Sequence, residues 1–208
     1  MIDTAKGPAR PTTPAQRARF DRIVEVATLV VTRSGEEGLQ MAQLPKLADV
    51  SLSTLYRYFT SKQHLLFAVV EHHLQAALAR TRPGGGSEAS VRERAAEHLL
   101  RVYGLDQRVP TLGALMRRLS AVTDPGFVTE RAVVDELHRK ILHRALGPLS
   151  DHQGRVLNLV VLGADAAIRL GLTGVLSPAE VRFQILTVSR LLDLTPAQVE
   201  QDERSADR

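Results

Sequence analysis

The sequence of 208 residues contains no cysteine and no long apolar run. Without cysteine the chain forms no disulfide, no thiolate metal site and no cysteine nucleophile, which suits a reducing cytosol. Because no stretch of about 18 consecutive apolar residues occurs, we expect no membrane span. The first eight residues, MIDTAKGP, include no apolar signal region. Together these absences predict a cytoplasmic protein.

Signatures of catalysis and of metal binding are also missing. The chain has no G-x-S-x-G motif and no H-E-x-x-H motif, and Gly84-Gly85-Gly86 is not followed by the Lys and Ser or Thr of a phosphate-binding loop. His64, His72 and His73 are close in sequence, but no carboxylate completes a spacing that is typical of zinc. We therefore expect neither enzymatic activity nor a metal or cofactor site.

The charge of the chain is unevenly distributed. Residues 1–82 carry 11 Lys and Arg against 7 Asp and Glu, whereas residues 83–208 carry 16 of each. The formal net charge of +4 therefore comes entirely from the first segment. Basic residues neutralise the phosphates of nucleic acid, so the first segment is the better candidate for a DNA-binding region. The hydrophobic content of 44% is sufficient for a sizeable core.

The segment from Ser51 to Phe59 has the pattern of a short helix that depends on its neighbours, since a helix of this length is unstable alone. Leu55 and Phe59 are four residues apart and can anchor one face in a core. The other large side chains should point away from that core, where they can grip phosphates and read base edges. They are Thr54, Tyr56, Arg57 and Tyr58. The alternative is an ordinary amphipathic helix with aromatic residues at its edge.

The flanks of this segment favour a helix-turn-helix motif. Residues 41–48 have the pattern of a short amphipathic helix, and Asp49-Val50 allows a tight connection. Ser51 can cap the next helix with its hydroxyl, and Ser61 can cap the helix after that. We therefore interpret the segment as the second helix of the motif, which enters the major groove of DNA.

The motif resembles the DNA-binding domain of the TetR family of transcriptional repressors, whose pattern is A-G-V-S-x-x-T-L-Y-x-Y-F-x-S-K. The matching run here is ADVSLSTLYRYFTSK, and the resemblance extends over residues 16–74. Within the family, the motif is most similar to the KstR-type repressors of steroid catabolism. Asp49 replaces the usual glycine, but Asp tolerates a left-handed backbone. Pro45 removes a backbone donor, so we expect the first motif helix to be shortened or kinked.

This resemblance implies an all-α fold, with an N-terminal three-helix helix-turn-helix head and a C-terminal helical body. We predict a disordered arm at residues 1–13 and the DNA-binding domain at residues 14–62. The ligand-binding and dimerisation domain should span residues 63–194, and a frayed polar tail should occupy residues 195–208. The fold agrees with the apolar positions, which recur at helical spacing along the body.

The resemblance also implies which side chains contact DNA. Two tyrosines, a threonine and a lysine are expected to hold the phosphate backbone, and Arg57 should reach a base edge or an adjacent phosphate. Gln40 takes the place before the first motif helix where the family often has Ser or Thr. The predicted DNA-binding residues are Gln40, Ser51, Ser53, Thr54, Tyr56, Arg57, Tyr58 and Lys62.

Two C-terminal helices are candidates for a dimer interface. Within residues 151–172, the segment from 156 to 172 is apolar on several faces, and Gly163 and Gly171 allow another helix to approach closely. Together with residues 178–192 they resemble the four-helix bundle through which two subunits of the family associate. A core helix within one chain is the alternative.

Asp165 and Arg169 lie four residues apart in the apolar segment and can form an ion pair. One interpretation is a structural pair at the edge of the interface. The other is that the two side chains orient a ligand or bridge the subunits.

An effector cavity should lie among the helices of the body, between about residues 88 and 172. A lining that is nearly all apolar suits a small hydrophobic molecule with one or two polar ends; the alternative is that these residues fill a solid core. The predicted lining residues are Leu99, Tyr103, Leu115, Met116, Leu119, Phe127, Val134 and Leu137.

The expected function is a ligand-responsive DNA-binding regulator. As a homodimer it would repress from a palindromic operator and be released by the effector. The alternative function is that of a DNA-binding regulator or architectural protein without a small-molecule effector.

Overall fold

The computed structural model of the protein describes residues 10–84 and 88–206. Within these ranges the regular structure is entirely helical, which confirms the all-α prediction. The predicted arm lies largely outside the described residues, as does part of the glycine-rich loop. The α-helices are α1 (Pro14–Ser34), α2 (Leu44–Ala48), α3 (Leu52–Tyr58), α4 (Lys62–Arg80), α5 (Val91–Arg108), α6 (Pro110–Ser120), α7 (Val128–Leu146), α8 (Asp151–Leu172), α9 (Pro178–Val188) and α10 (Pro196–Ala206).

Local sequence chemistry determines where α1 begins and ends. The Gln16 N–H donates to the Thr13 hydroxyl at 3.2 Å, and the Gln16 side chain accepts from the Thr13 N–H at 3.3 Å, which completes a capping box. Pro14 occupies the first helical position, where its missing N–H costs nothing. The helix ends at Ser34, and the Gly35 that follows it has a φ of 68°, in the region that favours glycine.

Proline sets the start of α2. The sequence predicted a helix over residues 41–48, but α2 begins three residues later, at Leu44. Pro45 therefore falls in the first turn, where a backbone donor is not needed, and residues 41–43 form a turn instead. The expected shortening of this helix is confirmed.

The chain divides into two compact units. The first comprises the described residues of Met1–Arg80 together with Thr111–Arg139. The second comprises the described residues of Thr81–Pro110 and of Lys140–Arg208. In the first unit, α1 packs against α2 and α4. The division into functional domains near residue 62 stays a prediction, because packing units and functional domains need not coincide.

Residues 111–139 are tied to the N-terminal helices within the first unit. The Thr111 hydroxyl donates to the Thr32 carbonyl at 3.1 Å, next to the end of α1. Arg118 of α6 donates through Nε to the Glu36 carboxylate at 2.8 Å, and its terminal nitrogens lie 3.4 and 3.5 Å from the side-chain oxygen of Gln63 in α4. One arginine thus connects α6 with both the loop after α1 and the start of α4.

A second set of contacts joins α4 to the start of α7. The Phe127 ring stacks on Phe67, with 5.6 Å between centroids, and its centroid lies 4.8 Å from that of His64. His64 Nδ1 is 2.9 Å from the Ser61 hydroxyl, while Nε2 is 3.8 Å from the Glu130 carboxylate. The first two turns of α4, which follows the helix-turn-helix, therefore pack against Phe127 and the first turn of α7.

The second unit has its own hydrophobic core, built from α5, α8, α9, α10 and the end of α7. A Cβ added to Gly163 would lie 2.8 Å from the Val188 side chain, and one added to Gly171 would clash with Val181 and approach the Tyr103 hydroxyl. Both glycines therefore let helices of the same chain approach each other. The expectation that they mark the contact with a second subunit is wrong, because the close packing at these positions is internal.

The frayed tail expected from Thr195 is also wrong, since residues Pro196–Ala206 form α10. The Thr195 N–H donates to the Gln198 side chain at 2.9 Å, and the Gln198 N–H donates back to the Thr195 hydroxyl at 3.4 Å. Val199 is buried in the core of the second unit. A capping box and one buried apolar side chain thus order a segment that is otherwise polar.

No helix of the described ranges is both long enough and apolar enough to cross a membrane. The same residues contain no group of three or more His, Cys, Asp or Glu side chains that could hold a metal ion.

Candidate nucleic-acid interface

The turn between α2 and α3 depends on Asp49. Its backbone, with φ of 51° and ψ of 53°, is left-handed, and no other non-glycine residue of the described chain has a positive φ. The Val50 N–H donates to the Pro45 carbonyl at 3.0 Å and closes the turn. The prediction that Asp49 can replace the usual glycine is confirmed, because a short polar side chain tolerates this conformation.

Three hydroxyl groups are connected at the start of α3. The Ser51 oxygen accepts from the Thr54 N–H at 3.1 Å, as expected of a helix cap. The same oxygen lies 3.0 Å from the Ser53 hydroxyl and 2.8 Å from the Thr54 hydroxyl. The side chains of Ser51 and Ser53 remain exposed, so both can still contact an external partner.

The inner face of α3 is anchored by Leu55, Tyr58 and Phe59. The burial of Leu55 and Phe59 agrees with the sequence prediction, but Tyr58 is only 2% exposed, and the prediction that it points away from the core is wrong. Tyr58 follows Leu55 by three residues, a spacing that shares a helix face as well as four does. Its ring packs edge-on against Phe20 of α1, with 5.8 Å between centroids.

Arg57 lies against the buried tyrosine. Its guanidinium carbon is 5.0 Å from the centre of the Tyr58 ring, a cation–π distance. Its Nη2 also donates to the Tyr58 hydroxyl at 3.4 Å. Since Arg57 itself is exposed, Tyr58 holds a charged group at the surface of α3.

The outer face of α3 carries two rows of exposed side chains. Leu52 and Tyr56 are four residues apart and form an apolar row, while Ser53 and Arg57 form a polar row beside it. The helix therefore presents hydrogen-bonding groups and apolar surface next to each other.

The other two predicted DNA-binding residues flank the motif. Gln40 is exposed in the turn before α2, and its side-chain oxygen accepts from Gln43 at 2.8 Å. Lys62 is the first residue of α4 and is partly buried. All eight predicted residues thus lie in the first unit, and their contacts with DNA stay predictions.

Sequence reasoning missed Leu47 and Leu52, which are 57% and 50% exposed. Among the exposed large hydrophobic side chains described in the first unit, these two and Tyr56 fall within ten consecutive residues. The spacing of Leu52 gives no clear signal, because Leu52 lies three residues before the buried Leu55 and four before the exposed Tyr56, and both spacings share a helix face.

The residues predicted to line an effector cavity are divided between the two units. Leu99 and Tyr103 belong to the second unit, and the other six belong to the first. Met116 and Phe127 are partly buried, whereas the rest are buried. The Tyr103 hydroxyl accepts from the Gln107 side chain at 2.9 Å. Their role in ligand binding stays a prediction. The eight are Leu99, Tyr103, Leu115, Met116, Leu119, Phe127, Val134 and Leu137.

His98 of α5 has a buried ring nitrogen, Nδ1, without a hydrogen-bond partner in the described part of the chain. Burial, with a smaller contribution from the nearby Arg101 and against the opposing effect of Glu97, lowers the pKa of His98 to about 4. The imidazole is therefore neutral at physiological pH. Burial likewise lowers the pKa of His138 in α7.

The outward faces of α8 and α9 are apolar. Leu159 and Leu162 of α8 are more than half exposed, as is Phe183 of α9, and Leu186 is exposed beside it. Both helices bury their opposite faces in the core of the second unit. The two helices thus serve as an intrachain core on one side and leave an apolar surface on the other.

Asp165 and Arg169 form the predicted ion pair. Arg169 Nε donates to an Asp165 carboxylate oxygen at 3.2 Å, and about half of each side chain is exposed. The pair lies at the surface of the single chain, where such pairs contribute little to stability.

Ser51 caps the short helix α3, which follows a left-handed turn at Asp49 and presents a mixed polar and apolar face. These are the features of a helix-turn-helix DNA-binding protein. A family model described as "Bacterial regulatory proteins, tetR family" matches residues 23–69. The chain is 30% identical over 153 residues to the HTH-type transcriptional repressor KstR of Mycolicibacterium smegmatis. The aligned residues are 71% of this chain and 75% of that protein. The chain therefore belongs to the TetR family.

Other comparisons agree. The KstR repressor of Mycobacterium tuberculosis is 29% identical over 197 residues, which are 92% of this chain and 85% of that protein. A crystal structure of a TetR transcriptional regulator from Rhodococcus sp. RHA1 superposes with a TM-score of 0.72 at 28% identity, covering 88% of this chain and 100% of the other. These relatives are transcriptional regulators, so the chain is a DNA-binding regulator and not an enzyme, as predicted.

Proposed function

We propose that this regulator is a homodimeric repressor that binds a palindromic operator through α3 and is released by a small hydrophobic effector. Repression is supported by its relatives, which are named transcriptional repressors. A DNA-binding regulator acts where the DNA is, so we place it in the cytoplasm.

Dimerisation is supported by the apolar surface on α8 and α9. Four exposed hydrophobic side chains on two adjacent helices are unfavourable in water, and a second copy of the same surface would cover them. A two-fold dimer would present two copies of α3 to half-sites about one helical turn apart, or a multiple of it. Dimers are also typical of the family.

The observation that carries the effector response is the attachment of α6 to the N-terminal helices. Arg118 joins α6 to Glu36 and Gln63, and Phe127 joins the start of α7 to α4. A ligand that displaces Leu115, Met116 or Leu119 on α6 would therefore displace contacts with the loop after α1 and with the start of α4, the helices on either side of the helix-turn-helix. A ligand that favours one arrangement of these contacts shifts the population of DNA-binding states.

The chemistry of the predicted lining supports a hydrophobic effector. Seven of the eight side chains are apolar, and methionine adapts to irregular ligand shapes. Tyr103 supplies a polar group, and His98 is a further candidate to meet a polar end. The resemblance of the motif to regulators of steroid catabolism favours a steroid-like or acyl compound.

The experiment is a titration of the protein–operator complex. The operator is first selected from random duplex DNA, and release is followed by fluorescence anisotropy. Steroid ketones and fatty acyl compounds should release the DNA, whereas charged, water-soluble metabolites should not. The opposite result would contradict the hydrophobic effector. Stable binding in the presence of every compound would favour the alternative, a DNA-binding or architectural protein without an effector.

A further inference from the structure

The apolar row on α3 lies outside the core of the first unit. Leu52 is 50% exposed and Tyr56 is 45% exposed, whereas Leu55 and Phe59 on the same helix supply the anchoring. An exposed leucine at the first position of α3 does not extend the core of the first unit. Because the surface of α3 is the DNA-binding surface of the family, an apolar group on DNA is a suitable partner for its apolar part.

The major groove offers a single prominent apolar group, the C5-methyl of thymine. The edges of the other bases present hydrogen-bond donors and acceptors in this groove, which an isobutyl side chain cannot satisfy. Residues at the beginning of a recognition helix are those that contact base edges. Leu52 occupies that place, next to Ser53 and one turn before Tyr56.

We propose that Leu52 determines specificity for a thymine in each half-site by packing on the thymine methyl group. The polar row of Ser53 and Arg57 then contacts a neighbouring base pair or phosphate. The proposal rests on operator binding through α3. The preference for thymine would depend on the leucine side chain of Leu52. A polar side chain at the same position would instead form a hydrogen bond with a base edge.

The other exposed side chains of the motif are less suitable for this role. Leu47 belongs to α2, and in a helix-turn-helix the first helix crosses the DNA backbone. Tyr56 carries a hydroxyl that can donate to phosphate, so its ring need not read a base. Leu52 alone of the three combines a purely apolar side chain with a position on the recognition helix.

The test replaces single thymines of the selected operator by deoxyuridine, which removes the methyl group and leaves every hydrogen-bonding group in place. At one thymine position in each half-site, we expect a single replacement to weaken wild-type binding about fourfold, the effect of one buried methylene-sized group. With Leu52→Ala the same replacement should have no effect. Leu29→Ala changes a leucine of α1 that is 57% exposed and should retain the wild-type response.

The outcomes are distinct. Since Leu52 is half-exposed, its replacement by alanine should leave the melting temperature within a few degrees of wild type, which a thermal scan verifies. If deoxyuridine affects wild-type protein and Leu52→Ala equally at every position, or affects neither, the thymine contact is wrong. If the wild-type protein selects no DNA sequence at all, operator binding itself fails, and that result is recognisable before any thymine is replaced.

Discussion

Arg118 and Glu36, 82 residues apart in sequence, form an ion pair in which the guanidinium Nη2 lies 2.5 Å from the carboxylate oxygen. The pair joins α6 to the loop that follows α1. Both side chains are partly exposed, at 41% and 27%, so the net contribution of the pair to stability is modest. Its importance lies in what it connects, since α6 carries three of the residues predicted to contact the effector.

The first prediction concerns this connection. Arg118→Ala should lower the free energy of unfolding by about 1 kcal/mol or less. It should reduce the ratio of operator affinities measured without and with effector, because displacement of α6 is no longer passed to Glu36. In the double variant, Glu36→Gln should reduce this ratio little beyond the reduction caused by Arg118→Ala alone, because both changes remove the same ion pair. Arg33→Ala, which changes an exposed arginine of α1, serves as the control, and an equal loss there would argue against the connection.

The second prediction concerns Arg57. Arg57→Ala should weaken operator binding by about 1–3 kcal/mol if the guanidinium pairs with guanine, and should relax the base preference at one position per half-site. Tyr58→Phe keeps the ring beneath Arg57 but removes the hydroxyl acceptor, so its effect should be smaller. Lys62→Ala should weaken all DNA sequences alike, as expected of a phosphate contact. Unchanged operator affinity of Arg57→Ala would contradict the assignment.

The third prediction separates the interior of the second unit from its apolar surface. Phe183→Asp and Leu162→Asp place a charge on the exposed faces of α9 and α8, so the chain should stay folded but become monomeric in light scattering. Gly163→Asp should instead destabilise the fold, because even a Cβ meets Val188 at 2.8 Å. A stable wild-type monomer at micromolar concentration would exclude the proposed dimer.

The fourth prediction concerns pH. The pKa of His98 is about 4 in the folded chain, against 6.5 for an ordinary histidine. Between these values the unfolded chain binds more protons, so stability is fully present above pH 6.5 and falls as the pH drops towards 4. The contribution of His98 to this loss is on the order of 3 kcal/mol.

His98→Phe should flatten this dependence and raise stability, because it also removes the unpaired buried nitrogen. Urea unfolding at a series of pH values between 4 and 7 measures the slope. A residual slope from His138, whose pKa burial also lowers, is expected in the variant. An identical slope in both proteins would show that His98 does not titrate as described.

Local chemistry made much of the fold predictable. Ser51 and Ser61 cap their helices as the sequence indicated, and Asp49 adopts the left-handed turn that its side chain permits. These features depend on neighbours within a few residues, so they can be recognised in the sequence. The order of α10 was missed because its polar composition concealed a Thr195 capping box and the buried Val199.

Features that depend on tertiary packing were harder to predict. Tyr58 was placed at the surface because its hydroxyl suits phosphate, but the presence of Phe20 on α1 makes burial of the ring more favourable. Gly163 indicated close helix packing correctly, yet a sequence cannot distinguish a partner within the chain from one in a second subunit. The exposed Leu52 could be recognised only after the core-facing side of α3 was known.

The most direct test of the account is the mass of the protein–operator complex together with its sequence preference. Native mass spectrometry of the chain with its selected palindromic duplex should show two protein chains per duplex, and competition with scrambled duplex should fail at equal concentration. Arg57→Ala should lose most of that discrimination. A single chain per duplex, or equal binding to operator and scrambled DNA, would contradict a dimer that recognises its operator through α3.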